Sequence, residues 1–140
     1  MNGYKYEHYV AKYLKKKRFK QIYVTKASGD YGADIIAKKY GQWYVIQCKY
    51  YSHSVGLKAV QEVVAAKKHY KCTKSMVVTN NTYTKPAKIL AKENNVILLD
   101  NIKPHRSTRN NNLEIRLIFA AFFMFVLAIY ILILTIKLID

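Results

Sequence analysis

Acid is scarce in this chain: 8 Asp and Glu stand against 24 Lys and Arg, a formal charge of +16 over 140 residues. Residues 1–112 hold 22 basic and 6 acidic side chains and so carry the whole excess; beyond them Arg116 and Lys137 balance Glu114 and Asp140. Such a charge exceeds what solubility requires. It fits a polyanionic partner, nucleic-acid phosphate or anionic lipid headgroups, bound in a salt-dependent way. Cysteine is nearly absent. Cys48 and Cys72 match no zinc-ligand spacing, which excludes a zinc finger, argues against a disulfide framework and suits a reducing compartment. Met1 to Lys20 lacks the apolar core of a signal peptide. There are no internal repeats.

What is present centres on Asp30 to Tyr50, DYGADIIAKKYGQWYVIQCKY. Two apolar runs are joined by Lys39-Tyr40-Gly41-Gln42, where Gly41 supplies turn chemistry. In the second run Trp43, Val45, Gln47 and Lys49 share one face; Tyr44, Ile46, Cys48 and Tyr50 share the other. A turn at Tyr40-Gly41 sets Asp34 opposite Gln47 on one face, with Lys49 as the diagonal neighbour within reach of a long side chain. A carboxylate, an amide oxygen and an ammonium then converge on a Val/Ile-rich hairpin. Magnesium takes oxygen ligands, including one or two carboxylates, and keeps several waters. A lysine beside it can orient a water or offset charge developing on phosphorus. A lone Asp or Lys would read as a solvated edge; three polar groups at matched positions read as a site.

These residues resemble a known family. Ser28-Gly29-Asp30-Tyr31-Gly32-Ala33-Asp34, followed by Gln47-Cys48-Lys49, is similar to the Mrr-type restriction endonuclease domain of the PD-(D/E)xK nuclease superfamily. The resemblance runs from about Tyr4 to Asp100. It implies a restriction-endonuclease-like α/β fold, a mixed β-sheet flanked by helices, and a magnesium-dependent DNA endonuclease in which manganese can substitute. It makes Asp34 the metal ligand, Gln47 the occupant of the usual acidic position and Lys49 the catalytic lysine. A neutral amide is a poorer ligand than a carboxylate, so another acid is expected to help.

Gly3 to Arg18 reads as a helix with Glu7, Val10, Ala11 and Leu14 on one stripe. An unpaired carboxylate there is costly, so Glu7 points to a partner. Either it joins the Asp34 cluster, as a first-helix glutamate commonly does in the resembling family, or the stripe is rotated and Glu7 meets a surface lysine. Lys15-Lys16-Lys17-Arg18 suits the helix dipole and is a candidate for phosphate contacts. Gln21 to Thr25 reads as a strand. Asp30 caps its loop or supports the site. Val55 to Tyr70 reads as a helix buried through Val60, Val63, Val64 and Ala65-Ala66. Gln61, near its middle, is a DNA-contact candidate by the resemblance and a solvated residue by the bland reading. Ser75 to Thr79 is a strand, Thr84 to Asn94 a helix with Pro86 in its first turn, and Val96 to Leu99 the last strand. The order suits a mixed sheet covered by helices.

The chain divides into a domain at 1–100, a basic and polar linker at 101–112 and an apolar anchor at 113–140. Leu117 to Ile136 is twenty residues without a charge, long enough for a helix to span about 30 Å of hydrocarbon. Lys103, Arg106, Arg109 and Arg116 precede it, so the positive-inside rule puts the N-terminal domain in the cytoplasm. The expectation is a single-pass protein of the cell membrane acting on foreign or membrane-proximal DNA. Two other readings compete: a catalytically silent module that tethers DNA to the bilayer, and a basic surface that binds anionic lipid. Cutting both strands asks for two active sites, which a homodimer would supply; the apolar run has no G-x-x-x-G to support one.

Overall fold

The chain reverses at Tyr40 and Gly41, both with positive φ, 49° and 79°, the pairing that a two-residue type I′ hairpin requires. The turn fixes the register of β2 (Ile35–Lys39) on β3 (Gln42–Lys49), with Lys39 opposite Gln42 and Ile35 opposite Ile46. This is the register expected from the sequence. The computed structural model describes residues 1–25, 31–104 and 111–139, with side chains at 111–114 and 137–139 outside the description. They fall in two compact units, Met1–Pro104 and His105–Asp140.

In the first unit α1 (Gly3–Lys16) and β1 (Lys20–Val24) precede the hairpin; α2 (Leu57–His69), β4 (Lys74–Thr79), α3 (Lys85–Glu93) and β5 (Val96–Leu99) follow it. The five strands lie side by side in chain order. β1, β2 and β3 are antiparallel; β3, β4 and β5 are parallel. The parallel pairs need crossovers, and α2 and α3 supply them. Thr84 caps α3 by accepting from the Ala87 N–H at 3.3 Å, with Pro86 in the first turn where its missing N–H costs nothing.

Two cores result, one on each face of the sheet. α1 packs Tyr6, Val10 and Leu14 against Ile35, Ile46, Cys48, Met76 and Val78. α2 and α3 pack Val60, Val63 and Ala87 against Val45, Val77 and Val96. Full burial of a Val or Leu contributes about 1.5–3 kcal/mol, so both helices are fixed firmly on the sheet. The alternation along β3 is as expected: Val45 and Gln47 face α2, and Ile46 and Cys48 face α1.

Three details differ from expectation. The buried stripe of α1 is Tyr6, Val10 and Leu14, which leaves Glu7 and Ala11 half-buried at its edge. On α2 Ala59 is buried and Ala65 exposed, because the helix turns Ala66, not Ala65, onto Val63. Asn101–Lys103, expected within the linker, are bonded to the folded unit. Asn101 N–H donates to Asn81 O and Ile102 N–H to Thr79 O, each at 2.9 Å. Tyr6 and Tyr9 hydroxyls donate to the Ile102 and Lys103 carbonyls at 2.9 and 2.7 Å.

The second unit contains α4 (Asn111–Ile139). Ile115–Ile136 is long and apolar enough to cross a membrane by length and composition, about 33 Å at the helical rise. Its described side chains are exposed all round. The Thr135 hydroxyl donates to the Leu132 carbonyl at 2.8 Å, so this polar group is satisfied within the helix.

Candidate active site

Asp34 sits where the chain enters β2, beside the carboxyl end of β3. Its Oδ2 accepts from the Gln47 amide Nε2 at 2.5 Å and from the Cys48 backbone N–H at 2.6 Å. Gln47 is buried at 4% exposure. Giving its Nε2 to Asp34 orients Oε1 the other way, and that oxygen is buried with no hydrogen-bond partner among the described residues. A buried acceptor in this condition is costly unless something else meets it.

Gly32 passes close by, at φ +82°. A Cβ there would lie 2.8 Å from Glu62 Cβ and 3.2 Å from Gln47 Oε1. Only glycine permits both the conformation and the approach. The Thr25 hydroxyl donates to the Ala33 carbonyl beside it.

Lys49 Nζ lies 2.7 Å from Glu62 Oε2 on α2. Burial alone would lower the Lys49 pKa; the hydrogen bond and charge of Glu62, with the charge of Asp34, outweigh it and hold the pKa above its usual value. Lys49 is therefore a fixed cation at neutral pH. Cys48 points to the opposite face, and burial followed by the charge of Asp34 raises its thiol well above the usual range. It is an inert core thiol.

Glu7, Thr25, Gly32, Asp34, Gln47, Lys49 and Glu62 line one open cavity of about 340 Å³. Three of the six acids in residues 1–112 meet here, against one ammonium, in an otherwise strongly basic unit. The pocket is therefore locally acidic within a unit that is otherwise positive. Oxygen donors from Asp34, Glu7 and Gln47 suit a hard divalent ion such as magnesium or manganese, and the unpartnered Gln47 Oε1 fits that use. Among the described residues no three His, Cys, Asp or Glu form a metal cluster by themselves.

The fold thus gathers Asp34, Gln47, Lys49 and Glu7. Asp30 lies outside the described residues. Gln61 is exposed on α2 and does not line the cavity. Lys15, Lys16, Lys17 and Arg18 lie at the far end of α1, where Lys17 and Arg18 border cavities at the Tyr40-Gly41 turn. Sequence reasoning missed Glu62. The signal was available: Glu62 stands three residues after Ala59 and four before Ala66, beside the buried stripe of α2. The argument applied to Glu7 finds it too. A second cavity of about 170 Å³ shares Lys49 and Glu62 and adds Tyr51 and Lys58 at its wall.

A mixed five-stranded sheet covered by helices, with this site at the end of its central hairpin, has the restriction-endonuclease-like fold. The Mrr_cat family model for restriction endonucleases matches residues 1–103, and the chain belongs to that family. Among solved structures, the crystal structure of AF1548, a protein of unknown function, is similar with a TM-score of 0.61 at 23% identity. The match covers 75% of this chain and 61% of that one, so this chain spans about three-fifths of its length. The MspJI restriction endonuclease in complex with a 27-mer oligonucleotide is similar over 68% of this chain and 24% of its own, at 18% identity and a TM-score of 0.49. Comparison with curated proteins gives no match.

Proposed function

We propose that this protein is a membrane-anchored, divalent-metal-dependent endodeoxyribonuclease that hydrolyses phosphodiester bonds. The observation that carries the reading is the acidic pocket of Asp34, Glu7 and Glu62 around Gln47 and Lys49, set in a family domain of strong positive charge. Asp34, Glu7 and the Gln47 amide oxygen would hold the metal. When bound, a magnesium or manganese ion lowers the pKa of its water and offsets charge on the phosphate.

The chain's own residues supply the rest. Cys48 N–H and Gln47 Nε2 hold the Asp34 carboxylate in one orientation. Lys49, kept protonated by Glu62, acts as a cation: it positions the attacking water or stabilises the negative charge of the transition state. In that protonated form it has no lone pair with which to take a proton from water. Lys58 beside the pocket is placed to meet a flanking phosphate. DNA is the partner supported by the family and by the charge excess. A homodimer would supply the second active site for double-strand cutting. α4 anchors the domain to the cell membrane with Met1–Pro104 in the cytoplasm, as the basic residues before the apolar run indicate, and limits it to membrane-proximal or incoming DNA.

The test is cleavage of supercoiled plasmid by the full chain in detergent, with magnesium, manganese or chelator. Metal-dependent nicking is expected, with Asp34→Asn lowering the rate by about 10²–10³-fold. Salt-sensitive binding without cutting under any metal would replace the enzyme with a DNA tether. Binding to anionic vesicles alone would replace it with a lipid-binding surface.

A further inference from the structure

The hairpin end of the first unit carries a second set of chemistry that the active site does not use. Arg18, Lys20, Lys38 and Lys39 line one cavity of about 580 Å³ with Gln21, Tyr40 and Gly41. No acid lines it, and among the described residues no carboxylate pairs with these cations. Three of its residues, Arg18, Gln21 and Tyr40, hold positive φ without being glycine, an uncommon backbone state for such side chains.

A neighbouring cavity of about 290 Å³ shares Lys39 and Tyr40. Its walls combine aromatic residues, Tyr13, Phe19 and Tyr44, with aliphatic ones, Leu14, Met76 and Leu99 among them, and Lys17 lies beside them. The cations lie on the rings: Lys39 Nζ is 4.9 Å from the Phe19 centroid and 5.2 Å from that of Tyr40, and Lys17 Nζ is 5.5 Å from that of Tyr13. A basic groove thus opens beside an aromatic pocket, and two residues belong to both.

We propose that this end of the domain is a second nucleic-acid site, which takes an unpaired strand with a base among the rings and its phosphates along the groove. Duplex phosphates would need the cations but have no use for a sheltered aromatic pocket. Only a base that has left its stack can enter one, and base–aromatic stacking beside a cationic track is how single strands are held. An anionic lipid would also match the charge, but in a domain read as a DNA nuclease an aromatic lining beside a cationic track fits a flat base. The site is distinct from the active pocket. β3 starts at the turn and ends at Lys49, and its eight residues put about 23 Å between the two.

The experiment is fluorescence anisotropy on the full chain in detergent with chelator present, so that no cutting occurs. The probes are a labelled oligothymidylate and a duplex of equal length. The single strand is expected to bind at least about 10-fold more tightly. Tyr40→Asn removes the ring while keeping a residue that tolerates positive φ, and should weaken single-strand binding by about 5- to 30-fold. Lys38→Ser with Lys39→Ser should reduce the salt slope by roughly 1.4; near-UV circular dichroism checks that both variants fold. Equal affinity for duplex, or no effect of Tyr40→Asn, would overturn the inference. So would displacement of the strand by phosphatidylglycerol vesicles from the parent but not from the double lysine variant, which would make the groove a lipid site. The nuclease reading fails separately: cutting without single-strand preference sinks only this inference, and single-strand preference without cutting sinks only the nuclease.

Discussion

Asp34, Gln47 and Lys49 are adjacent on one hairpin, but what each can do is set by a neighbour from elsewhere. Glu62 decides the state of Lys49. Its hydrogen bond and charge raise the lysine pKa despite burial. A raised folded-state pKa contributes stability that is fully present below the unfolded value and lost as pH rises through the folded one. The stability difference between the parent and Lys49→Met should therefore stay constant through neutral pH and shrink only above the ordinary lysine value of 10.5, as measured by chemical denaturation across pH. Gly32 decides whether the pocket closes at all. Gly32→Ala would strain a backbone at φ +82° and press on Glu62 Cβ at 2.8 Å. It is expected to cost about 1–3 kcal/mol, and calorimetry together with a cleavage assay would register both losses.

At the scale of elements, α2 bridges β3 and β4 and brings its half-buried carboxylate over the carboxyl end of β3. Its position rests on Ala59, Val60, Val63 and Ala66, all buried. Val63→Ala is expected to destabilise the domain by about 2 kcal/mol through the cavity it leaves. Below the lowered melting temperature the metal-dependent cleavage rate should stay within about threefold of the parent, since Val63 touches none of the proposed chemistry; a larger loss would mean that α2 packing tunes the Glu62–Lys49 pair directly. α1 has a double task. Its core stripe fixes the helix, and the Tyr6 and Tyr9 hydroxyls hold the carbonyls of Ile102 and Lys103. That is why the chain stays on the domain past β5 although its composition there reads as a linker.

At the scale of the whole molecule, charge and apolarity are segregated along the chain. Residues 1–112 hold 22 basic side chains, whereas Ile115–Ile136 is a helix long and apolar enough to cross a membrane. On the proposed anchoring, the full chain should remain in the membrane pellet after alkaline carbonate extraction, and a chain ending at residue 112 should move to the supernatant. Pelleting of both would instead tie the membrane association to the basic surface. Within the basic unit three acids that are dispersed in sequence, Glu7, Asp34 and Glu62, are concentrated in one pocket.

Local pattern alone determined much of this protein. Tyr40-Gly41 set the hairpin register because a two-residue turn leaves no freedom in strand pairing. Strand alternation then assigned Gln47 and Lys49 to one face and Cys48 to the other. An uncharged run of twenty residues defined the apolar helix by length alone. Tertiary structure decided what pattern could not. Glu62 reaches Lys49 only because a crossover helix returns over the sheet, a contact thirteen residues apart in sequence that no local period encodes. Glu7 could have joined the site or a surface lysine. The choice was made when Tyr6, a larger apolar surface, took the core position and turned Glu7 to the edge by the open pocket. Lys15–Arg18 read by charge as candidates for phosphate contacts, but a charge has no address in sequence. The length of α1 carried them to the opposite end of the sheet.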